Sequence, residues 1–302
     1  MANEALLKPQ AGKPKTLRSL IQRGKAIPVP GGFNAITAKI IESLGYEALY
    51  ISGAGISNGV AGYPDIGLMT AEEMARQAGY TARAVNIPAI ADADNGYGEA
   101  ANVFRTVQMY EMQGISALHL EDQVMPKRCG HLKGKALIST EAMCEKIKAA
   151  CEARQNPDFV VIARVDSKAV NGFDDAVKRA NAYVKAGADM IFPEAMETSE
   201  EFEEFAKQVK SPLLANMTEF GKTPYLPLQD FDRFGYNVVI YPMTAFRVMM
   251  KSVEESLRIL KETGTQEGIL ERMTTREDLY KLINYQAYET LDNSLATEYT
   301  SL

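Results

Sequence analysis

The residues able to do chemistry in this chain gather in short polar stretches that follow apolar runs. Residues 123–135, QVMPKRCGHLKGK, set Cys129 between Lys127–Arg128 and Gly130–His131, with Lys133 and Lys135 close behind. Cations beside a thiol lower its pKa, the usual condition for a chemically active cysteine. Gly130 and Gly134 suit a loop that opens and closes over a site. A solvated surface loop is the plain alternative for so charged a run.

A second constellation is built from acids. Asp92 and Asp94 stand in ADAD, residues 91–94. On an extended strand that spacing points both side chains to one side. Two adjacent carboxylates repel, and without a cation one of them takes up a proton. A hard divalent ion removes the conflict, and Mg2+ favours a few carboxylates with water and substrate oxygens completing its shell. The competing reading has one acid capping the next helix and the other pairing with a lysine. Further polar groups recur in the same relation to apolar runs: Tyr50–Ile51–Ser52–Gly53 with Asp65 beyond, Glu121–Asp122, Arg164–Val165–Asp166, Glu194, and Asn216–Met217–Thr218–Glu219. Arg164 serves either as a salt-bridge partner of Glu121 or Glu194, or as a bidentate clamp on a carboxylate. The two roles can coexist.

What must position these groups is a rhythm of strands and helices. Apolar runs occur at 26–30, 47–52, 87–92, 116–121, 159–164, 189–194, 212–217 and 237–242. Between them, segments such as AANVFRTVQMYEMQG and FDDAVKRANAYVKAG repeat apolar positions every three or four residues, as core-facing helices do. Gly45, Gly114, Gly187 and Gly235 offer left-handed helix caps. Strands alternating with helices pair in parallel, and eight such units predict a (β/α)8 TIM-type barrel with its site at the C-terminal strand ends. A doubly wound open sheet is the second choice, without a G-x-G-x-x-G turn to support it. Residues 14–24 predict an added N-terminal helix, and REDLYKLINYQAYETLDNSL a C-terminal helical extension whose apolar face calls for a partner subunit. The whole chain, 1–302, reads as one domain.

Composition narrows the function classes. Hydrophobic residues make up 46% and charged residues 24%, the balance of a globular protein with a full core. A net charge of −6 and the lack of a basic stripe argue against nucleic acid. No apolar run approaches the about 18 residues that span a bilayer, and the N-terminus lacks the apolar core of a signal peptide, so the expected location is cytoplasmic. Cys129, Cys144 and Cys151 form neither a disulfide framework nor a metal-ligand spacing. Cys144 and Cys151 share a helix face and read as buried small hydrophobes.

KRCGH after LHLEDQ, with ADADNGYG upstream and FPEA and LANMTEFGKTP downstream, resembles the isocitrate lyase/phosphoenolpyruvate mutase superfamily. The likeness runs from about Pro28 to the C-terminal TREDLYKLINYQAYE; the K-[KR]-C-G-H loop is its specific signal. It implies a Mg2+-dependent barrel, a homotetramer with C-terminal helices swapped between neighbours. Tyr50, Ser52, Gly53 and Ala54 match the segment that holds a pyruvate-like half of the substrate. Asp65, Asp92 and Asp94 match acids that hold Mg2+ directly or through water, and Glu121 and Glu194 match carboxylates around its water shell. Arg164 matches the substrate-carboxylate arginine, and Asn216 and Thr218 match groups on the succinate half. Cys129 matches the catalytic acid, on a loop with Lys127, Arg128, Gly130 and His131. Ala54 stands where many relatives have glycine and Val165 where many have threonine; both lie close to the site, and no named chemical role is lost.

The activity so implied is retro-Claisen cleavage of a 2-hydroxy tricarboxylate, (2R,3S)-2-methylisocitrate, to pyruvate and succinate. Tyr50 or a carboxylate is the candidate base and Cys129 the proton donor. Isocitrate and 2,3-dimethylmalate are the neighbouring substrates, and a non-catalytic dicarboxylate-binding barrel is the distant alternative.

Overall fold

A computed structural model of the protein describes residues 12–128 and 134–299. Its sheet has eight parallel strands: β1 (Ile27–Gly32), β2 (Leu49–Ile51), β3 (Ala89–Asp92), β4 (Ala117–Glu121), β5 (Val160–Val165), β6 (Met190–Pro193), β7 (Leu214–Asn216) and β8 (Val238–Tyr241). They run β6-β5-β4-β3-β2-β1-β8-β7, and a parallel bridge between Ile191 and Leu213 brings the two edges together. The sheet is thus a nearly closed TIM-type barrel, and the open doubly wound alternative is ruled out. Each strand coincides with one of the eight apolar runs.

Period-two alternation sorts the strand residues into two cores. Leu118, Leu120, Val161, Ala163, Ile191 and Ala215 pack outward with helix residues such as Tyr110, Ile147 and Tyr183. Val29, Tyr50, Ile90, Ala117, Ile162, Phe192, Leu214 and Ile240 fill the interior. The N-terminal helix Lys13–Ile21 adds Leu17, Leu20 and Ile21 to that interior cluster, so it covers the barrel's N-terminal end. Gly187 and Gly235 cap helices Phe173–Ala186 and Leu228–Phe234 in the left-handed conformation, as expected. One expectation is corrected in degree: Cys144 and Cys151 pack against the edge of the core but are only half-buried, with their thiols donating to the Ala182 and Gly187 carbonyls.

Two compact units divide the chain, the barrel through Phe246 and a second unit from Arg247 onward. The second comprises most of helix Thr244–Thr263, a 3-10 turn Glu267–Arg272, and helices Arg276–Leu282 and Tyr285–Tyr299. Asn284, with φ 58°, breaks the last two apart. Val248, Met250, Leu257 and Leu279 are exposed on this unit. No helix among the described residues is long and apolar enough to cross a membrane.

Candidate active site at the barrel mouth

In the six strands from β2 to β7 the inward series ends on a polar group at the C-terminal mouth. Tyr50 follows Ala48, Asp92 follows Ile90, His119 and Glu121 follow Ala117, Arg164 follows Ile162, Glu194 follows Phe192, and Asn216 follows Leu214. The alternation that fills the barrel with aliphatics therefore delivers the chemistry to one place.

Arg164 is the hub. Its Nε and Nη2 donate to both oxygens of Asp166 at 2.9 and 3.2 Å. Glu121 and Glu194, the partners expected from sequence, stand farther off at 3.5 and 3.7 Å. The guanidinium also lies over the Phe192 ring, 5.3 Å from its centre. Burial alone raises a carboxyl's pKa, but Arg164 and Lys135 outweigh it and hold Asp166 below its ordinary value. Asn216 Nδ2 donates to Glu194 Oε2 at 3.2 Å.

The acids expected to take a metal do converge, with one correction. β3 ends at Asp92, and Asp94 has a left-handed φ of 47°, so the pair does not sit on one extended strand. The turn instead folds Asp94 back, and its backbone N–H donates to Asp92 Oδ1 at 3.0 Å. Lys127 fills the cluster: its buried Nζ lies 2.5 Å from Asp65 Oδ1 and 2.7 Å from Asp94 Oδ1. Asp94, Asp92 and Glu121 overcome the burial that would lower the Lys127 pKa, and it is raised. Desolvation raises both Asp92 and Asp94, and lifts Glu121 well above the usual carboxylate range. Gly53 belongs to the same cluster, since a Cβ there would meet Asp92 Oδ2 at 2.6 Å.

Among the described residues, no three His, Cys, Asp or Glu side chains approach closely enough to grip a metal by themselves. The donor set nonetheless fits a hard cation held largely through water. It is all carboxylate oxygen, it already encloses one cation, and Glu121 Oε1 is buried without a hydrogen-bond partner.

Tyr50 Oη lies 2.8 Å from His119 Nε2, and the two rings stack with centroids 5.8 Å apart. Burial, then Asp92, raise the phenol well above its ordinary value. Burial, then Arg164, lower His119 to about 3, so the imidazole is neutral at physiological pH. His119 was not singled out from the sequence; its only signal there was a histidine inside the apolar run SALHLE, on the same side as Glu121. Asp166 and Lys135 were likewise visible without an assigned role.

Ser52 Oγ accepts from the Gly55 N–H and caps the short helix Gly53–Ile56, which carries half-buried Ala54. Thr218 is half-buried just past β7. Arg128 is exposed, and its backbone N–H and carbonyl are both held by Gln123. Cys129, Gly130 and His131 lie outside the described residues. A cavity of about 810 Å³ lined by Leu68, Thr70, Asn95, Asn102, Gln123 and Lys146 sits beside this cluster; none of the candidate residues lines it.

The family model described as phosphoenolpyruvate phosphomutase matches residues 17–261. The 2-methylisocitrate lyase of Aeropyrum pernix is 52% identical over 276 residues, 91% of this chain and 89% of that protein. The crystal structure of 2,3-dimethylmalate lyase, described as a PEP mutase/isocitrate lyase superfamily member, superposes with a TM-score of 0.88 at 34% identity, covering 94% of this chain and 95% of its own. Phosphonopyruvate hydrolase, solved with oxalate and Mg2+, gives a TM-score of 0.84 at 29% identity over 93% and 98% of the two chains. A barrel mouth with these acids and this arginine, and matches that span nearly all of the chain, make the protein a member of the phosphoenolpyruvate mutase/isocitrate lyase superfamily.

Proposed function

We propose that this protein cleaves (2R,3S)-2-methylisocitrate to pyruvate and succinate, as one domain of a homotetrameric cytoplasmic enzyme. The observation that carries the reading is the 52% identity to a 2-methylisocitrate lyase over 91% of the chain. The gathering of Tyr50, Asp92, Glu121, Arg164 and Glu194 at the barrel mouth supports it independently. The exposed apolar residues of the second unit support the tetramer, with C-terminal helices exchanged between neighbours.

In this reading a base removes the proton of the tertiary hydroxyl, and the C2–C3 bond breaks as the pyruvate carbonyl forms. The electron pair passes to the succinate half, and the Cys129 thiol protonates that carbon. Tyr50, protonated and hydrogen-bonded to neutral His119, is placed to relay the hydroxyl proton toward the neighbouring carboxylates. Arg164 binds a substrate carboxylate and offsets developing charge. Ser52, Gly53 and Ala54 hold the pyruvate half, Asn216, Thr218 and Glu194 the succinate half, and Lys127, Arg128, Gly130 and His131 accompany Cys129. Asp65, Asp92, Asp94 and Glu121 would hold Mg2+, which supplies Lewis-acid polarisation worth several kcal/mol. The Mg2+ bound by the similar phosphonopyruvate hydrolase supports that choice.

The structural likeness to 2,3-dimethylmalate lyase favours that substrate as the second reading. A pocket distinguishes such neighbours by only about 1–3 kcal/mol per methylene. Racemic threo-2-methylisocitrate, 2,3-dimethylmalate and isocitrate assayed side by side, with Mg2+ and with chelator, decide between them. Mg2+-dependent pyruvate and succinate from the first, with little glyoxylate from isocitrate, is the expected result. Faster cleavage of dimethylmalate transfers the assignment to the second reading.

A further inference from the structure

We propose that Lys135 is a positioning residue for Arg164, acting through Asp166. By sharing the Asp166 carboxylate, it leaves the guanidinium able to hold an anionic substrate. The inference rests on the proposed reading in one respect, that Arg164 takes a substrate carboxylate.

Arg164 meets Asp166 in a two-point arrangement, Nε to Oδ2 and Nη2 to Oδ1. Such fork-to-carboxylate pairing is strong and directional, so Asp166 is a built-in competitor for any carboxylate that enters. The backbone that carries this competitor is anchored. The Asp166 backbone N–H is held by Asp122 Oδ1 at 2.9 Å, and Asp122 Oδ2 is fixed in turn by the Tyr183 hydroxyl at 2.7 Å and Arg179 at 3.2 Å. Lys135 Nζ bonds Asp166 Oδ1 at 2.8 Å, the same oxygen that serves Arg164 Nη2. The side chains of Lys135 and Asp166 are 1% and 0% exposed, so water does little to screen the pair. A second cation on one carboxylate divides its charge and weakens its hold on the first.

Placement in the chain adds a second consequence. Lys135 closes the segment that carries Cys129, and Lys127 opens it on Asp65 and Asp94. Both flanks are therefore pinned by buried lysines to acids of the mouth, and the closing one bears on the group that receives the substrate.

The test compares wild type with Lys135→Met, Lys135→Arg and the double variant Lys135→Met/Asp166→Asn. Kd for succinate is read by calorimetry, together with KM, kcat and Tm. Lys135→Met is expected to weaken succinate and raise KM about tenfold while kcat moves less than threefold. Lys135→Arg should return both to within threefold. Adding Asp166→Asn should restore most of the loss, because a neutral amide no longer competes for the guanidinium. A purely structural lysine would lower Tm and leave Kd and KM unchanged; that result, or a double variant binding no better than the single one, overturns the inference. If Lys135→Met does not fold, the double variant decides by the same criterion, near-wild-type affinity against a tenfold loss. Succinate binding is scored without turnover, so a wild type inactive on every substrate overturns the functional reading alone.

Discussion

The Tyr50 hydroxyl and His119 Nε2 lie 2.8 Å apart, 69 residues distant in sequence and shut inside the barrel. His119 also meets Phe192 edge to face at 5.4 Å, which fixes its ring plane. A neutral imidazole so held can orient the phenol and exchange a proton with it. Tyr50→Phe should therefore lower kcat about 10²-fold, in the range of general acid–base contributions. His119→Asn should cost roughly tenfold, and the double variant no more than Tyr50→Phe alone, since the residues act as one unit. Steady-state kinetics with additive losses would separate them.

Gly53 permits the close approach of Asp92, and its substitution tests the metal assignment gently. Gly53→Ala puts a methyl 2.6 Å from Asp92 Oδ2, so the carboxylate must shift. The apparent Mg2+ affinity should drop about tenfold with the fold intact, the scale of other disturbances around metal ligands. Asp92→Ala should abolish the Mg2+ binding heat in calorimetry together with activity. Unchanged Mg2+ affinity in Asp92→Ala would remove the acid from the metal site.

Cys129 is assigned its proton-donor role by its loop motif. Cys129→Ser should reduce kcat by about 10²–10⁴-fold while KM stays within a few-fold. Near-wild-type turnover would take the thiol out of the mechanism.

Lys13 makes a prediction about stability away from the site. Its buried Nζ donates to the Ala82 and Val85 carbonyls at 2.8 and 2.6 Å, and desolvation lowers its pKa from 10.5 to about 8. The unfolded chain then binds the proton more tightly than the native one between these values, so stability rises with pH from about 8 to 10.5. The two carbonyl bonds temper the effect to roughly 1–2 kcal/mol. Urea midpoints at pH 7.5 and 9.5 should differ accordingly, and Lys13→Met should remove that difference. A midpoint that falls over this range in wild type but not in the variant would reverse the sign assigned to Lys13.

Strand and helix positions were legible because their signals are local. Apolar runs of a few residues, helical spacing between them and glycines at helix ends each follow from neighbouring residues alone. The same locality exposed the polar residues at the ends of β2 to β7, and so most of the candidate site from Tyr50 to Asn216.

Which polar group faces which was legible only in part. Arg164 does pair with Glu121 and Glu194 as expected, but its shortest bonds go to Asp166, which was not foreseen. One of the acids at 92 and 94 was expected to pair with a lysine under the plain reading, and Lys127 does enter the cluster, 62 residues from Asp65. Asp94 reached Asp92 through a left-handed turn that no spacing announced. His119 passed as one more member of an apolar strand. The sequence by itself determined the element types, their order and the chemical kinds of residue at the strand ends, since these depend on short-range periodicity. Tertiary structure decided the pairings and the charge states, because closing eight strands into a ring sets distant side chains a few ångströms apart, where burial and Coulomb interaction outweigh any local preference.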